Sequence, residues 1–499
     1  MTRAPPLPLP RSRRLSPRLL LSISLLAGCA APQPPGPAPT GLQVPQDWAD
    51  ATAPRADTAA PRVGASALAA WWERFHDPLL ASLVEEALQA NTSVESGRQA
   101  WAQARALAEV AAAGLRPSVQ AVASAQRNRT AGSAAGAGAR TFNTLGAGFD
   151  ASWETDLFQR LHAAAAAAVL DAQASQADLG ALQVALAAEV AVDYMQLRSL
   201  QARWAIAQAN GQSQQNTLQI TRWRQQAGLL TALELAQAQT AALQTQALLP
   251  PLASAATQME HSLAVLTHRA PAALHLRLSP PGATLAAPEA LVLAFPAETL
   301  RQRADVRAAE LRVGAAYQRT VQADAARYPD LQLSGNLGLS ALGWAALGRS
   351  SAGVFGLLAS VSVPVLDGGA ARAQLRAQQA ALQQAAVQYD AVVLAALAEV
   401  EGGLVSLRSN RERLRALQEA EQAASHAARL ARQRFASGLV DFQVVLETQR
   451  SALLTQDAQA SALVDLQTDH VRLYKALGGG WEPAMLDLSP PTTRTGARG

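Results

Sequence analysis

The chain is predicted to be mainly α-helical with a small β part, and to be built twice over. Three observations predict this. Two stretches, about 160–227 and about 369–437, hold helical periodicity in Ala- and Leu-rich sequence, and the first contains no proline. Two other segments alternate instead. Leu331, Leu333, Leu337 and Leu339 alternate with Gln332, Ser334, Asn336 and Ser340, and Phe355 to Val363 continues the pattern. Leu145 to Trp153 does the same in the first half. Finally, the halves match at a fixed offset of 210 residues. Leu197-Arg198-Ser199 pairs with Leu407-Arg408-Ser409, Ala188-Glu189-Val190 with Ala398-Glu399-Val400, and Gly228 with Gly438. Each half reads helix, hairpin, long helix, turn, return helix, an internal duplication.

The elements follow in order. Residues 1–28 have the shape of a secretory signal, arginine-rich and then apolar from Leu19 to Leu26, too short to span a membrane as a helix. Cys29 is the only cysteine, so no disulfide can form within the chain. Residues 29–65 are rich in Pro, Ala, Thr and Gly and read as an extended linker. The first repeat covers 66–269. It opens on Trp71-Trp72 to Asp77-Pro78 and continues as one helix to about Gly114, stopped by Pro117. Its hairpin is placed at about 118–155. The long helix from Arg160 has about 68 residues, or roughly 100 Å. Gly228 turns it, and Pro250-Pro251 should interrupt the return helix, which ends near Thr267. A proline-rich linker occupies 270–296. The second repeat, 297–482, contains one helix to about Arg327, the hairpin at about 331–363, and Asp367 capping the second long helix. Gly438 turns that helix, and the return helix ends near Gly478. A disordered tail is expected over 483–499.

Composition excludes several functions. Of 42 basic residues, five lie in the first 28 positions, where there is no acid; the remaining 37 face 38 acidic residues. No nucleic-acid partner is suggested. His261, His268 and His275 are seven apart, two helical turns, too far for shared metal ligation. Lys475 is the only lysine, and no phosphate-binding glycine loop contains it. No nucleophile has a nearby base pattern. The expectation is a protein that is not an enzyme, with no cofactor and no metal.

Four strands cannot close a barrel, and an open sheet in lipid would leave unpaired edges. The strands must form a soluble sheet or combine with those of other subunits. Leu26-Ala27-Gly28-Cys29 resembles the lipobox of bacterial lipoproteins, which implies cleavage before Cys29, acylation of that residue as the only covalent group, and, with Ala30 following, outer-membrane sorting. The whole chain resembles TolC-like outer-membrane efflux proteins, of the NodT lipoprotein type paired with resistance-nodulation-division pumps. The matching segments are Trp71 to Pro78, Trp153 to Phe158, Arg303 to Glu310, Val363 to Gly369 and Ala476 to Trp481. Gln159, where relatives carry Gly, and Ala304, where they often carry Pro, depart from the pattern.

The resemblance implies a homotrimer. Each chain would give four strands to a twelve-stranded β-barrel in the outer-membrane lipid and long helices to a periplasmic α-helical barrel. The implied function is a passive conduit in the bacterial outer membrane, exporting small molecules such as drugs or toxic compounds with a periplasmic adaptor and an inner-membrane pump. The apolar set Phe149, Trp153, Leu333, Leu337, Phe355 and Leu357 would face lipid, and Asp150, Glu154, Gln332 and Asn336 the lumen. By position, the resemblance places a periplasmic gate at Glu447 and at Gln443, an apolar position in relatives. It places adaptor contacts at the tips Gly228, Leu229, Leu230, Gly438, Leu439 and Val440. Protein secretion through the same channel, or a pore-less structural coiled-coil lipoprotein, are the rival readings.

Overall fold

The computed structural model describes residues 43–48, 68–130, 139–280 and 296–481. Cys29, the signal segment, most of the 29–65 linker, part of the 270–296 linker and the 483–499 tail lie outside the described residues. The described residues fall into two units. One comprises residues 108–130, 139–168 and 315–383, the other 43–48, 68–107, 169–280, 296–314 and 384–481.

In the second unit the Trp-Trp…Asp-Pro segment works as an anchor. Asp77 caps helix α1 (Pro78–Ala90): its Oδ1 accepts the Leu79 N–H at 2.8 Å and the Leu80 N–H at 3.3 Å. Pro78 at the first helical turn lacks the N–H that would otherwise be unsatisfied there. The other Asp77 oxygen accepts the Tyr194 hydroxyl at 2.6 Å. Burial, and donation to Asp77, push the Tyr194 phenol up to about 12. Trp71 packs edge-on to Trp72 at 5.7 Å and stacks on Tyr474 at 5.5 Å, which ties the last helix to the start of the fold.

The helix expected to run unbroken to Gly114 is two helices, α1 and α2 (Thr92–Ala113). Asn91 divides them. Its Oδ1 accepts the Ser93 N–H at 2.8 Å as an N-cap, and its Nδ2 donates to the Leu266 carbonyl at 2.9 Å.

The strands β1 (Ser118–Thr130), β2 (Arg140–Thr155), β3 (Asp330–Ala341) and β4 (Gly353–Ser362) form one antiparallel sheet in that order. The two hairpins, far apart in sequence, are joined by β2–β3 pairing, with Phe149 opposite Leu337 and Leu337 opposite Phe355.

The long helices are α3 (Arg160–Gln226) and, later, α9 (Ala370–Ala436), 67 residues each. The first return segment is split into α4 (Ala232–Gln246) and α5 (Leu249–Leu266), with Pro250 and Pro251 in the opening turns of α5. Beyond it the 270–296 linker is partly structured. A 3-10 turn, Pro271–Leu274, and α6 (His275–Leu278) bury Leu274 and Leu278 in the main core. The packing of the first half therefore extends past residue 269.

The helix expected from Ala297 to Arg327 is also interrupted, giving α7 (Pro296–Gln302) and α8 (Ala304–Ala325). Arg303 sits at the break, buried, donating to the Ala476 carbonyl at 2.8 Å, to Asp305 at 2.7 Å and to Glu399 at 2.8 Å. Burial alone would raise the Asp305 carboxyl, but Arg303 holds it below the usual carboxylate range. Trp481 donates its Nε1–H to the Gln302 carbonyl at 2.7 Å, with Gly180 under its ring. The Arg-Ala-Asp and Gly-Gly-Gly-Trp segments thus clasp each other. Asp367 accepts the Gly369 and Ala371 N–H groups, each at 2.8 Å, ahead of α9. The second return helix, α10 (Phe442–Ala476), is continuous. The bounds of α3 and α9 differ by 210 at both ends, as do the start of α4 and α10 and the end of α5 and α10.

Candidate functional site

Two places carry functional geometry, one in each unit. The first is the sheet. Alternation puts Val119, Ala121, Leu145, Phe149, Trp153, Leu333, Leu337, Phe355 and Leu357 on one face. Phe355 is 88% and Leu357 87% exposed; Phe149 and Leu337 are exposed, and Leu333 is half-buried. The opposite face holds a polar row across three strands, Gln120, Asp150 and Asn336, which meets Gly356 on β4. Gly148 and Gly338 face each other on it, so close that a Cβ on either would lie 2.6 Å from a backbone oxygen of the other strand. Among the described residues, the outer edges of β1 and β4 have no strand partner. A sheet with a greasy exposed face and two raw edges is an assembly module, not a finished surface in water.

The second place is the pair of helical turns. Gly228 and Gly438 both have φ of +74°, the left-handed conformation glycine adopts without strain. In the first turn Leu229 N–H donates to Arg224 O at 2.8 Å and Gly228 N–H to Gln225 O at 3.0 Å. In the second, Leu439 N–H donates to Arg434 O at 2.9 Å and Gly438 N–H to Phe435 O at 3.0 Å. Both are Schellman-type ends. Leu229 and Leu439 are 72% and 75% exposed, while Leu230 and Val440 pack on a small shared core of Leu218, Ala238, Ala242, Ala431, Phe435, Phe442 and Val445. The structure brings the six tip residues together as two adjoining turns. Arg224 bridges them, its guanidinium 4.5 Å from the Phe435 ring and donating to the Ala436 carbonyl at 2.8 Å.

Glu447 and Gln443 lie on α10 near these turns, both exposed. The Gln443 amide donates to Gln237 Oε1 at 3.2 Å. That bond joins α10 to α4; a separate polar ladder along α10 escaped sequence reading. Arg203 pairs with Asp457 at 2.6 Å, Asn210 donates to Gln456 at 2.7 Å, and Gln449 donates to Thr217 at 3.0 Å. These bonds hold the first half's long helix to the second half's return helix. Their partners are 232 to 254 residues apart, and no local pattern marks them.

The three histidines do not meet. His275 pairs with Glu260 at 2.7 Å, and His268 occupies a left-handed helix end. No metal-ligating cluster is found among the described residues.

Known proteins resemble the chain along both halves. The profile described as "Outer membrane efflux protein" matches residues 83–267 and 295–479, once in each half. The pyoverdine export outer membrane protein OpmQ of Pseudomonas putida is 32% identical over 485 residues, covering 95% of this chain and 98% of that one. Among solved structures, the outer-membrane channel OprN superposes with a TM-score of 0.82 at 33% identity, over 90% of this chain and 100% of that one. VceC of Vibrio cholerae gives 0.75 at 26% identity, over 83% and 99%. The duplicated helices, the four-stranded sheet and the paired turns are those of an outer-membrane channel, and the chain belongs to the outer membrane efflux protein family.

Proposed function

We propose that this chain is the outer-membrane conduit of a tripartite efflux system, assembled as a homotrimer. Three four-stranded sheets close into a twelve-stranded barrel, which pairs the raw edges of β1 and β4 and gives the apolar face to lipid. The single observation supporting this most strongly is that sheet: four strands with one exposed apolar face and unpaired outer edges on β1 and β4 among the described residues. The long helices form a periplasmic α-barrel, and acyl chains on Cys29 add an anchor. An inner-membrane pump drives the cargo, small molecules such as drugs or toxic compounds, and the conduit itself performs no catalytic step.

The paired turns are the seat for the periplasmic adaptor, through the exposed Leu229 and Leu439. Glu447 is exposed beside them, so three copies would set three carboxylates around the entrance and favour cations. Gln443, tied to Gln237, supplies no apolar constriction.

Purified full-length protein in planar bilayers tests the conduit: discrete cation-selective conductance is expected, and its absence from trimeric preparations would overturn the reading. Glu447→Ala should lower cation selectivity, and unchanged conductance and selectivity would remove Glu447 from the gate. Cross-linking through cysteines introduced at Leu229 and Leu439 should capture the adaptor.

A further inference from the structure

The charges of the sheet are one-sided. Residues 119–149 and 331–366, which contain most of the strands and both hairpin connections, hold four arginines, Arg127, Arg129, Arg140 and Arg349, and no Asp, Glu or Lys. Toward the other end, where the strands join the helices, Asp150 on the opposite face of β2, Glu154, Asp156 and Asp330 occur with Arg160, and Arg160 pairs with Glu154 at 2.6 Å. Two of the four arginines lie on the apolar face. Along β1 that face reads Val119, Ala121, Ala123, Ala125, and then Arg127 and Arg129, both exposed. Their cross-strand neighbours are Asn143 and Thr141, neither charged.

The spacing fixes their level. The apolar band common to β2 and β3 runs from the Thr155–Leu331 pair to the Leu145–Ala341 pair. Ten residue steps span roughly 33 Å along a strand, which at ordinary strand tilt is a band about 25 Å tall, the height of an outer-membrane apolar belt. Ala125 pairs with Leu145 at the edge of that band, so Arg127 and Arg129 stand about 5 and 10 Å beyond it. Trp344, 80% exposed in the connection between β3 and β4 at this same end, is a residue type that marks a membrane–water interface.

We infer that Arg127 and Arg129 form a binding site for the phosphate groups of lipid headgroups in the outer leaflet. Guanidinium groups pair bidentately with phosphate, and here they project from a lipid-facing surface with no carboxylate to compete. This rests on the barrel reading above.

The test uses the full chain reconstituted into phosphatidylcholine vesicles containing either bisphosphorylated lipid A or the same lipid dephosphorylated. The readouts are protein insertion, by protease protection of the sheet, and lipid A retained through purification. Wild type should retain the phosphorylated lipid selectively, and high salt should weaken that retention. Each basic residue near an anionic surface is worth roughly a fivefold preference, so Arg127→Gln/Arg129→Gln should lose about 25-fold, and Arg127→Lys/Arg129→Lys should keep most of it. Equal retention of both lipids by inserted wild type overturns the inference and leaves the barrel standing. Failure of wild type to insert overturns the barrel reading, and the site with it. A double Gln variant that keeps its lipid preference while its anion permeability changes would assign the pair to the pore exit.

Discussion

The turn at Gly228 and the turn at Gly438 share a backbone and differ in what secures it. Both have a glycine at φ +74° and the same two closing hydrogen bonds. Around the first, Thr231 and Glu234 form a reciprocal capping box that starts α4. Around the second, Asp441 occupies the corresponding position and its side chain makes no cap bond. The second turn is instead held by aromatic packing, Phe435 against Phe442 at 5.8 Å, where the first has Gln225 and Ala232. The first copy fixes its turn by a local cap, and the second contributes both aromatic side chains of the shared core on which both turns rest. Backbone geometry has been kept while its support has moved between polar capping and burial.

The largest effect should come from removing that shared core. Phe442→Ala is expected to lose about 3–5 kcal/mol of stability, as large-to-small changes at fully buried aromatics do, whereas Ala232→Gly should lose only about 1 kcal/mol of helix propensity. Thermal unfolding of the two variants in detergent compares them, and equal losses would refute the asymmetry. Next, Gly228→Ala and Gly438→Ala should each cost about 1 kcal/mol, because both require the same left-handed backbone. A loss at one turn only would show that the backbones are not equivalent in solution.

A smaller contrast lies in the caps. Thr231→Ala should cost about 1 kcal/mol and Asp441→Ala close to nothing, read from the same melting curves. The start of each long helix gives the last of this series. Gly369 before α9 has φ +89°, and its counterpart before α3 is Gln159 at +62°. Gln159→Gly should therefore stabilise by about 0.5–1 kcal/mol, and failure to do so would mean that Gln159 makes compensating contacts.

The return helices also bury different polar groups at matching positions. Glu260 on α5 corresponds to His470 on α10, and both are buried. Glu260 accepts from His275, while His470 donates from Nδ1 to the Leu466 carbonyl at 2.8 Å and buries an unpartnered Nε2. Burial holds the His470 pKa below its ordinary value. Its neutral form is favoured only in the folded state, so its contribution is complete above the unfolded-state pKa of about 6.5 and is lost as the pH falls below it. The melting temperature should drop on acidification through this range, and less so in His470→Gln.

The parts legible in the sequence were those set by local rules. Proline-free periodicity marked α3, and paired glycines marked both turns. Strict alternation showed which side of β3 is apolar, and two prolines predicted the α4–α5 break. The breaks at Asn91 and Arg303 were hidden, because one polar residue within a helical pattern is usually just solvated. Asn91 interrupts its helix by reaching the Leu266 carbonyl, and Arg303 does so by reaching Ala476 and Glu399. The Arg203–Asp457 and Gln449–Thr217 bonds were hidden for a related reason. They depend on which faces of two distant helices meet, and that is decided by packing rather than by periodicity.

The raw edges of β1 and β4 have a genetic consequence. In the proposed ring every joint is made of one β1 and one β4 from different copies, so no copy can complete its own sheet. A single chain with a spoiled β4 edge breaks a ring otherwise made of sound subunits. Expressed in equal amount with the wild type, such an allele would leave roughly one ring in eight intact by random assortment. Alleles damaged at these edges should accordingly be dominant, whereas alleles that merely abolish synthesis of the chain should be recessive.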